Sequence, residues 1–545
     1  MSENTNKRRS YHTFLYPFHY GDTKDPKKSN LSGVLKKSEI WEQIDHQGHL
    51  DAEEYKKVYK IAQFYLPKAR RMLLPSNDKN ETELYRHKGE NIRYEIVYKE
   101  EKISLDVTEI ELLLLPIYSI GLLTIKGEYV QDARGKNDAE LLEMVDRIND
   151  LGRRVYPASV EVKGNEGPKI VDIICPAELN LYFDLAQDKQ KGKLRHSVKY
   201  QDFVKTAYKN DKYEVHPELI EQIIYYDGQN KKKKSKPVHP GLKPVLDDRM
   251  FVTCLYIGLE SPESYWHERL ENPEKAEELY KFMFLENSCT CQDQEMLQEK
   301  LDQHIYRRWV NWGSLYGITE YSMTYFASGN IDKKQESRYL VDNFQDLYLR
   351  LAQLALLQRA IITQLETEVE IASRRIGKPK ELLMLWERYA RFQAEYYIPE
   401  ATFQEQGVEM YDMLKDSLRL PEMYEYLDSG MENLRELAQM YESDNTNNAI
   451  NAMTAIGTTV AIFAMTQDYM IGMEAPEVAR ITIDRVLGVF WNLGGLAFFV
   501  VINGVLLFLM NLITKGKKSI AKYSGMAFLW IAVVILVVFM YCHKV

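Results

Sequence analysis

The sequence is poor in the residues and motifs that mark catalytic and metal sites. It contains five cysteines, and of these only Cys289 and Cys291 lie close together, with no second pair to complete a zinc site. No glycine-rich phosphate loop of the GxxxxGK kind occurs, and the serine and histidine of "SPESYWHERL" lack a nucleophile elbow. We therefore expect a protein that is not an enzyme and whose cysteines are reduced thiols facing a cytosol.

The sequence also lacks the features of a nucleic-acid-binding or secreted protein. Its net charge is -9, and its one dense basic run, Lys231–Lys234, falls in a proline-containing stretch that we interpret as an exposed loop. The N-terminus has no apolar core long enough for a signal peptide. These absences predict no direct nucleic-acid binding and a cytosolic location for the bulk of the chain.

Three regions differ in their hydrophobic pattern. Residues 1–340 mix strand-like runs such as "YEIVY" with the amphipathic pattern "DAELLEMVDRINDLGRR", which predicts a helix. Residues 341–446 read as long helices, and residues 447–545 contain three apolar segments. The predicted fold class is an α+β cytosolic domain, then a long all-α stalk, then a C-terminal helical transmembrane region.

The three apolar segments predict membrane spans at residues 449–470, 486–513 and 525–541. Lysines cluster in "TKGKKSIAK", between the second span and the third, and the positive-inside rule puts that loop in the cytoplasm. With the large N-terminal domain cytoplasmic as well, the weak first segment must span. The sequence therefore predicts a multi-pass membrane protein.

A polar stripe distinguishes the first predicted span. Asn447, Asn451, Thr454 and Thr458 are spaced four, three and four residues apart, which places them on one helical face. Such a stripe either lines a water-filled pore or forms hydrogen bonds between membrane helices, and the residues favour neither. With Asp444 at the cytosolic mouth and Met465 at an apolar constriction, the candidate pore-lining residues are Asp444, Asn447, Asn451, Thr454, Thr458 and Met465.

A candidate ligand site lies after the predicted helix of residues 138–152. Arg153 and Arg154 offer forked donors for a phosphate, and Tyr156 offers a flat face for a base. The alternative is that these arginines cap the helix and favour its dipole. Arg307–Arg308 and Arg374–Arg375 are further candidate pairs.

The C-terminal pattern resembles the CorA family of divalent-cation channels. "NNAINAMT", residues 447–454, resembles the "NEVMKVLT" that begins the family's pore helix. The family's Gly-Met-Asn signature is degraded, either to Ala464-Met465-Thr466 or to Gly472-Met473-Glu474, and the third span is a further departure. Because that signature recognises hydrated magnesium in the family, magnesium selectivity is in doubt here.

The large N-terminal region is similar to that of the CorA-type membrane effectors associated with type III CRISPR systems, with "YHTFLYPF" as the matching stretch. This resemblance implies a homo-oligomer, as a pentamer, in a bacterial inner membrane. It also implies gating by a nucleotide second messenger, S-adenosylmethionine–AMP, and loss of membrane integrity on activation. The open alternatives are a divalent-cation (magnesium) transporter, with no metal ligands assigned, and a non-conducting anchor for a cytosolic binding module.

Overall fold

The computed structural model describes residues 7–440 of the chain, apart from 22–30, 46–49, 76–81, 158, 163–166, 172–173, 187–190, 210–216, 226–240, 260, 287–289, 329–333 and 375–378. The chain divides into two compact units, Met1–Leu434 and Arg435–Val545. All the sites considered below lie in the first unit.

A large mixed sheet organises the first unit. The described strands of the unit are β1 (Lys7–Tyr20), β2 (Trp41–Ile44), β3 (Glu83–His87), β4 (Glu90–Tyr98), β5 (Glu101–Leu115), β6 (Ile120–Asp132), β7 (Val160–Val162), β8 (Pro168–Ile170), β9 (Glu178–Asp184), β10 (Leu194–Lys199), β11 (Leu242–Pro244), β12 (Phe251–Leu259), β13 (Ile305–Tyr306), β14 (Ser314–Ile318) and β15 (Ser322–Ser328). Strands β7 and β8 form a separate two-stranded sheet, and the others belong to the large sheet. The order is β10-β9-β4-β5-β6-β1-β12-β15-β14-β13, with β11 added beside β1, and β2 joined through β3 to β5. Within this sheet β12 and β15 run parallel, and the other described pairs are antiparallel.

The helices complete the unit. They are α1 (Leu31–Leu35), α2 (Ala52–Phe64), α3 (Pro67–Leu73), α4 (Asp138–Gly152), α5 (Tyr200–Lys209), α6 (Glu218–Ile224), α7 (Pro262–Glu268), α8 (Pro273–Phe284), α9 (Gln294–His304), α10 (Lys334–Asn343), α11 (Leu349–Ser373), α12 (Pro379–Arg391) and α13 (Glu405–Ser417). A π-helical turn, Phe344–Tyr348, leads into α11, and another, Phe392–Tyr396, follows α12. A last helix covers residues 420–440, where the described residues end.

The burial pattern of β5 shows how the sheet is covered. Its first half alternates exposed and buried residues, with Ile103 and Leu105 inward, and from Ile110 onward nearly every residue is buried. The alternating half has one face against the protein, and the continuous half is covered on both faces. Adjacent residues of β1 accordingly enter different cores: Phe14 packs with the α4 side, and Leu15 packs with the α11 side.

Helix α4 confirms the amphipathic prediction. The Asn137 side chain accepts a hydrogen bond from the Glu140 backbone N–H at 2.9 Å, and the Glu140 carboxylate accepts one from the Asn137 backbone N–H at 3.0 Å, which forms a capping box. The helix ends at Gly152, where an added Cβ would lie 2.5 Å from Phe14 Cζ. A glycine is needed there because the helix end approaches β1 closely.

The predicted fold class is wrong in its separate helical stalk. Helix α11 packs against β1 and β6 of the sheet and against α12 and α13. Its first seventeen residues are buried with two exceptions, including Leu351, Leu354, Leu357 and Ile361. A helix that is apolar on all sides is a core helix, so this apolar run forms the second core of the unit rather than a stalk.

The predictions of membrane-spanning helices, an ion channel and a bacterial inner-membrane location are also contradicted. Among the described residues, no helix combines the length and the apolar character that a bilayer crossing needs. The longest apolar helix, α11, is apolar because protein surrounds it. The predicted spans at 449–470, 486–513 and 525–541 and the predicted pore residues Asp444, Asn447, Asn451, Thr454, Thr458 and Met465 lie outside the described residues.

Candidate functional site

The predicted ligand residues lie at the C-terminal end of α4, inside the protein. Arg153, Arg154 and Tyr156 are 1%, 7% and 5% exposed. Arg153 is the C-cap residue of α4, and its backbone carbonyl accepts a hydrogen bond from Met250 N at 2.8 Å. This backbone pairing joins the end of α4 to the segment that enters β12.

A buried carboxylate pairs with both arginines. Arg154 donates to Asp150 Oδ1 from Nη2 at 3.0 Å and from Nε at 3.2 Å, and Arg153 Nε lies 3.6 Å from the same oxygen. Arg153 Nη2 also donates to the Leu285 carbonyl at 3.1 Å. Both guanidinium groups therefore have partners within the fold, and the ligand-binding role of Arg153, Arg154 and Tyr156 stays a prediction.

Tyr321 connects Arg153 to a second arginine that the sequence did not single out. The Tyr321 ring lies 5.5 Å from the Arg153 guanidinium carbon and 5.4 Å from that of Arg249, measured to the ring centroid. Tyr321 sits in the turn between β14 and β15, and its carbonyl accepts from Val252 N at 3.0 Å. The half-buried ring thus lies near two cations.

Two aspartates hold Arg249 in place. Arg249 lies 3.3 Å from Asp247 Oδ2 through Nη2 and 3.6 Å from Asp248 Oδ1 through Nε. Burial, together with the neighbouring Asp247, raises the pKa of Asp248 to about 6. Burial alone would raise the pKa of Asp247 as well, but the hydrogen bond from Asp248 and the Arg249 charge lower it. The pair therefore titrates as a coupled unit.

Arg359, on α11, differs from these arginines because it is unpaired. Its guanidinium makes no hydrogen bond or ion pair with any residue that the structure describes, and its Nε is fully buried. Burial lowers the pKa of Arg359, and the like charge of Arg419 adds to this effect, while Glu320 opposes it. A half-buried arginine that no carboxylate contacts directly is costly, and an incoming anion would reduce that cost.

Arg419 completes the group. It follows α13 with a φ of 54°, a left-handed conformation that non-glycine residues rarely adopt, and it forms no ion pair within the described part of the chain. Arg153, Arg249, Tyr321, Arg359 and Arg419 are called the arginine site below. Two partnered cations, two unpartnered cations and an aromatic face suit an anion that also carries a flat ring.

A second charged group lies on the other face of α11. Arg350 precedes Arg359 by nine residues, which at 3.6 residues per turn places the two side chains on opposite faces. Arg350 Nη2 donates to Glu111 Oε1 at 3.1 Å, and Lys126 Nζ donates to Glu109 Oε2 at 2.6 Å. Arg86 extends this chain of alternating charges, donating to Glu109 Oε1 at 3.0 Å and to Glu54 Oε1 at 2.6 Å. We call these residues the ionic network.

The side chains of the ionic network favour their ionised forms although they are buried. Burial alone would raise the pKa of Glu111, but the charges of Arg350 and Lys126 lower it well below its usual range. Burial likewise favours neutral Lys126, and Glu109 and Glu111 outweigh it and raise the lysine pKa. The chain of opposite charges therefore ties α11 to β5 and β6.

One buried group has the distances of a catalytic triad but no access. His12 Nε2 lies 2.8 Å from Ser10 Oγ, and His12 Nδ1 lies 2.7 Å from Asn149 Oδ1. All three residues are at most 1% exposed, and burial lowers the pKa of His12 to about 4. No substrate reaches this serine in the folded unit, so the group is a hydrogen-bonded part of the core.

The described residues contain no group of three or more His, Cys, Asp or Glu side chains arranged to hold a metal ion. The possible divalent cation therefore stays a prediction.

Comparison with models of protein families, with curated proteins and with solved structures finds no match for this chain. The relation to CorA-type effectors consequently rests on the sequence resemblance alone. The arginine site and the ionic network are features of this chain considered by itself.

Proposed function

We propose that this chain recognises a nucleotide second messenger and acts as an effector of type III CRISPR antiviral defence. The observation that carries the proposal is Arg359, a half-buried cation with no hydrogen-bond or ion-pair partner among the described residues, whose pKa is also affected by the charges of Arg419 and Glu320. In this proposal the phosphodiester is bound by Arg359 and Arg419, and the base stacks on Tyr321. S-adenosylmethionine–AMP is the messenger that the sequence resemblance favours.

Recognition at this place offers a route to a conformational response. The arginine site joins the β14–β15 turn, the segment before β12, the middle of α11 and the end of α13. A ligand that binds one arrangement of these four segments more tightly than another shifts the population towards it. The proposal includes a homo-oligomer, a pentamer, as the responding species, and light scattering on the purified full chain tests that number.

The proposal requires binding without turnover. Incubation of the messenger with the protein should return it unchanged.

The test is equilibrium binding of labelled S-adenosylmethionine–AMP and of cyclic oligoadenylates to the full-length protein. One of these messengers should bind, and Arg359→Gln should weaken it by about tenfold or more, because a charge-assisted contact is lost. Arg374→Gln is the matched control: Arg374 follows the end of the same helix, its side chain is 76% exposed, and it pairs with Glu370. If neither messenger binds, or if both variants bind alike, the proposal is wrong.

A further inference from the structure

The ionic network borders a cleft that has no assigned role. The cleft lies between α2, the end of α3, strands β3, β5 and β6, and the start of α11. It is separate from the arginine site, because Arg350 and Arg359 occupy opposite faces of α11. We call it the ionic cleft.

Two deeply buried side chains in the ionic cleft each have one unused polar atom. Arg350 is 8% exposed and its Nε makes no hydrogen bond to a described residue. Glu111 is 3% exposed, and its Oε2 lies 3.5 Å from Lys126 Nζ but accepts no hydrogen bond within the described chain. A buried donor and a buried acceptor left open together suit a ligand that has both an acceptor and a donor.

The mouth of the cleft also has one anionic and one cationic side chain. Asp346 has one cation within 4 Å among the described residues, Lys60 at 3.9 Å, and its side chain is 18% exposed. Lys57, exposed on α2, forms no ion pair with any described residue. The cleft thus has a carboxylate and a cation at its entrance, Asp346 and Lys57, in addition to Glu111 and Arg350 in its interior.

The charges of the cleft balance. The acidic residues that line it are Glu54, Glu109, Glu111 and Asp346. The basic residues that line it are Lys57, Arg86, Lys126 and Arg350. Four charges of each sign leave no excess, so a ligand with a net charge would enter with one charge uncompensated in a partly buried site.

The remaining wall is aliphatic and is formed by Val58, Ile61, Leu73 and Leu74. A lining that is aliphatic in one part and charge-balanced in the rest fits a small molecule with an aliphatic group at one end and opposite charges at the other. We propose that the ionic cleft binds an aliphatic α-amino acid, whose carboxylate meets Arg350 Nε and Lys57 and whose ammonium meets Glu111 Oε2 and Asp346. This proposal is independent of the messenger proposal.

The experiment is isothermal titration of the full-length protein with L-leucine and with three relatives that each lack one feature. N-acetyl-L-leucine lacks the ammonium, L-leucine amide lacks the carboxylate, and glycine lacks the aliphatic group. L-Leucine should bind, and each relative should bind at least about tenfold more weakly. Absence of leucine binding up to about 10 mM, a concentration that detects even weak complexes, overturns the proposal. Equal binding of the singly charged relatives also overturns it.

Two variants locate the site. Asp346→Asn keeps the shape of the side chain and should weaken leucine binding by about tenfold, and Lys57→Gln should weaken it by about threefold because Lys57 is exposed. Lys56→Gln is the control, since Lys56 is the exposed neighbour on α2 and does not line the cleft. Thermal melts confirm that each variant is folded. Binding that none of the substitutions alters would place leucine elsewhere and refute the assignment.

Discussion

Two opposite faces of α11 each carry an arginine, and the two arginines differ in whether a carboxylate pairs with them. On one face, Arg350 is buried against Glu111 and belongs to a chain of alternating charges. On the other, Arg359 is half-buried and has no partner within the described residues. A buried arginine with a matched carboxylate stabilises the fold, whereas one without a carboxylate is available to a ligand. The comparison therefore concerns what each arginine contributes to the fold: Arg350 has a buried carboxylate partner, and Arg359 has none among the described residues.

The same substitution at both positions tests most directly whether Arg350 and Arg359 differ in their contribution to stability. Arg350→Met should reduce the free energy of unfolding by about 3–5 kcal/mol, because it leaves Glu111 buried without its main partner. Arg359→Met should leave that free energy unchanged or raise it slightly, because no described hydrogen bond or ion pair is lost and a half-buried charge is removed. Urea denaturation of the two variants measures the difference. Equal losses would show that Arg359 is a structural residue after all.

The next largest effect is the loss of stability in acid. The pKa of Glu111 is lowered in the folded state, so its contribution is present above the unfolded value of about 4.3 and is lost as pH falls through the folded value. We expect the folded protein to lose about 2–4 kcal/mol through this group below about pH 4. The pH slope measured by denaturation should be shallower in Glu111→Gln. An unchanged slope in that variant would assign acid lability to other carboxylates.

The sequence predicted the elements whose pattern is local. The capping residues and apolar spacing of α4 are contained within residues 137–152, and the structure has that helix. By contrast, the apolar run of α11 was interpreted as a stalk, because a helix apolar on all sides indicates burial without indicating what buries it. The covering partners, β1 and β6, come from more than two hundred residues earlier in the chain. Such long-range packing has no local signature.

The candidate site likewise contains one residue that the sequence could identify and several that it could not. Arg153 was found because adjacent arginines at a helix end are visible in the sequence, but Tyr321, Arg249, Arg359 and Arg419 come from separate segments that only the fold brings together. One signal was present: Arg350 and Arg359 are lone charges in the apolar run "LYLRLAQLALLQRAIITQ". A charge in such a run is seldom buried unless it is paired or functional, and α11 contains one example of each.

A smaller effect tests whether messenger binding needs the forked geometry of Arg359. Arg359→Lys keeps the positive charge but loses the planar fork, so messenger binding should weaken by about tenfold, or 1.4 kcal/mol, while the free energy of unfolding stays unchanged. Arg374→Lys is the control at the exposed end of the helix. Full binding by Arg359→Lys would mean that charge alone, without forked geometry, holds the phosphate.

The smallest expected effect concerns the aspartates that hold Arg249. The pKa of Asp248 is raised to about 6, so its protonated form contributes stability that is lost as pH rises from about 4 through 6. Asp248→Asn should therefore stabilise the protein at pH 7 by less than about 1 kcal/mol, since its side chain is 38% exposed and solvent screens the charge. Asp247→Asn is the matched comparison and should act in the opposite direction, because the pKa of Asp247 is lowered by Asp248 and Arg249. Denaturation at pH 5 and pH 7 measures both variants. If the two substitutions shift stability alike, Arg249 depends on the pair as a whole, and neither aspartate can be assigned a separate role.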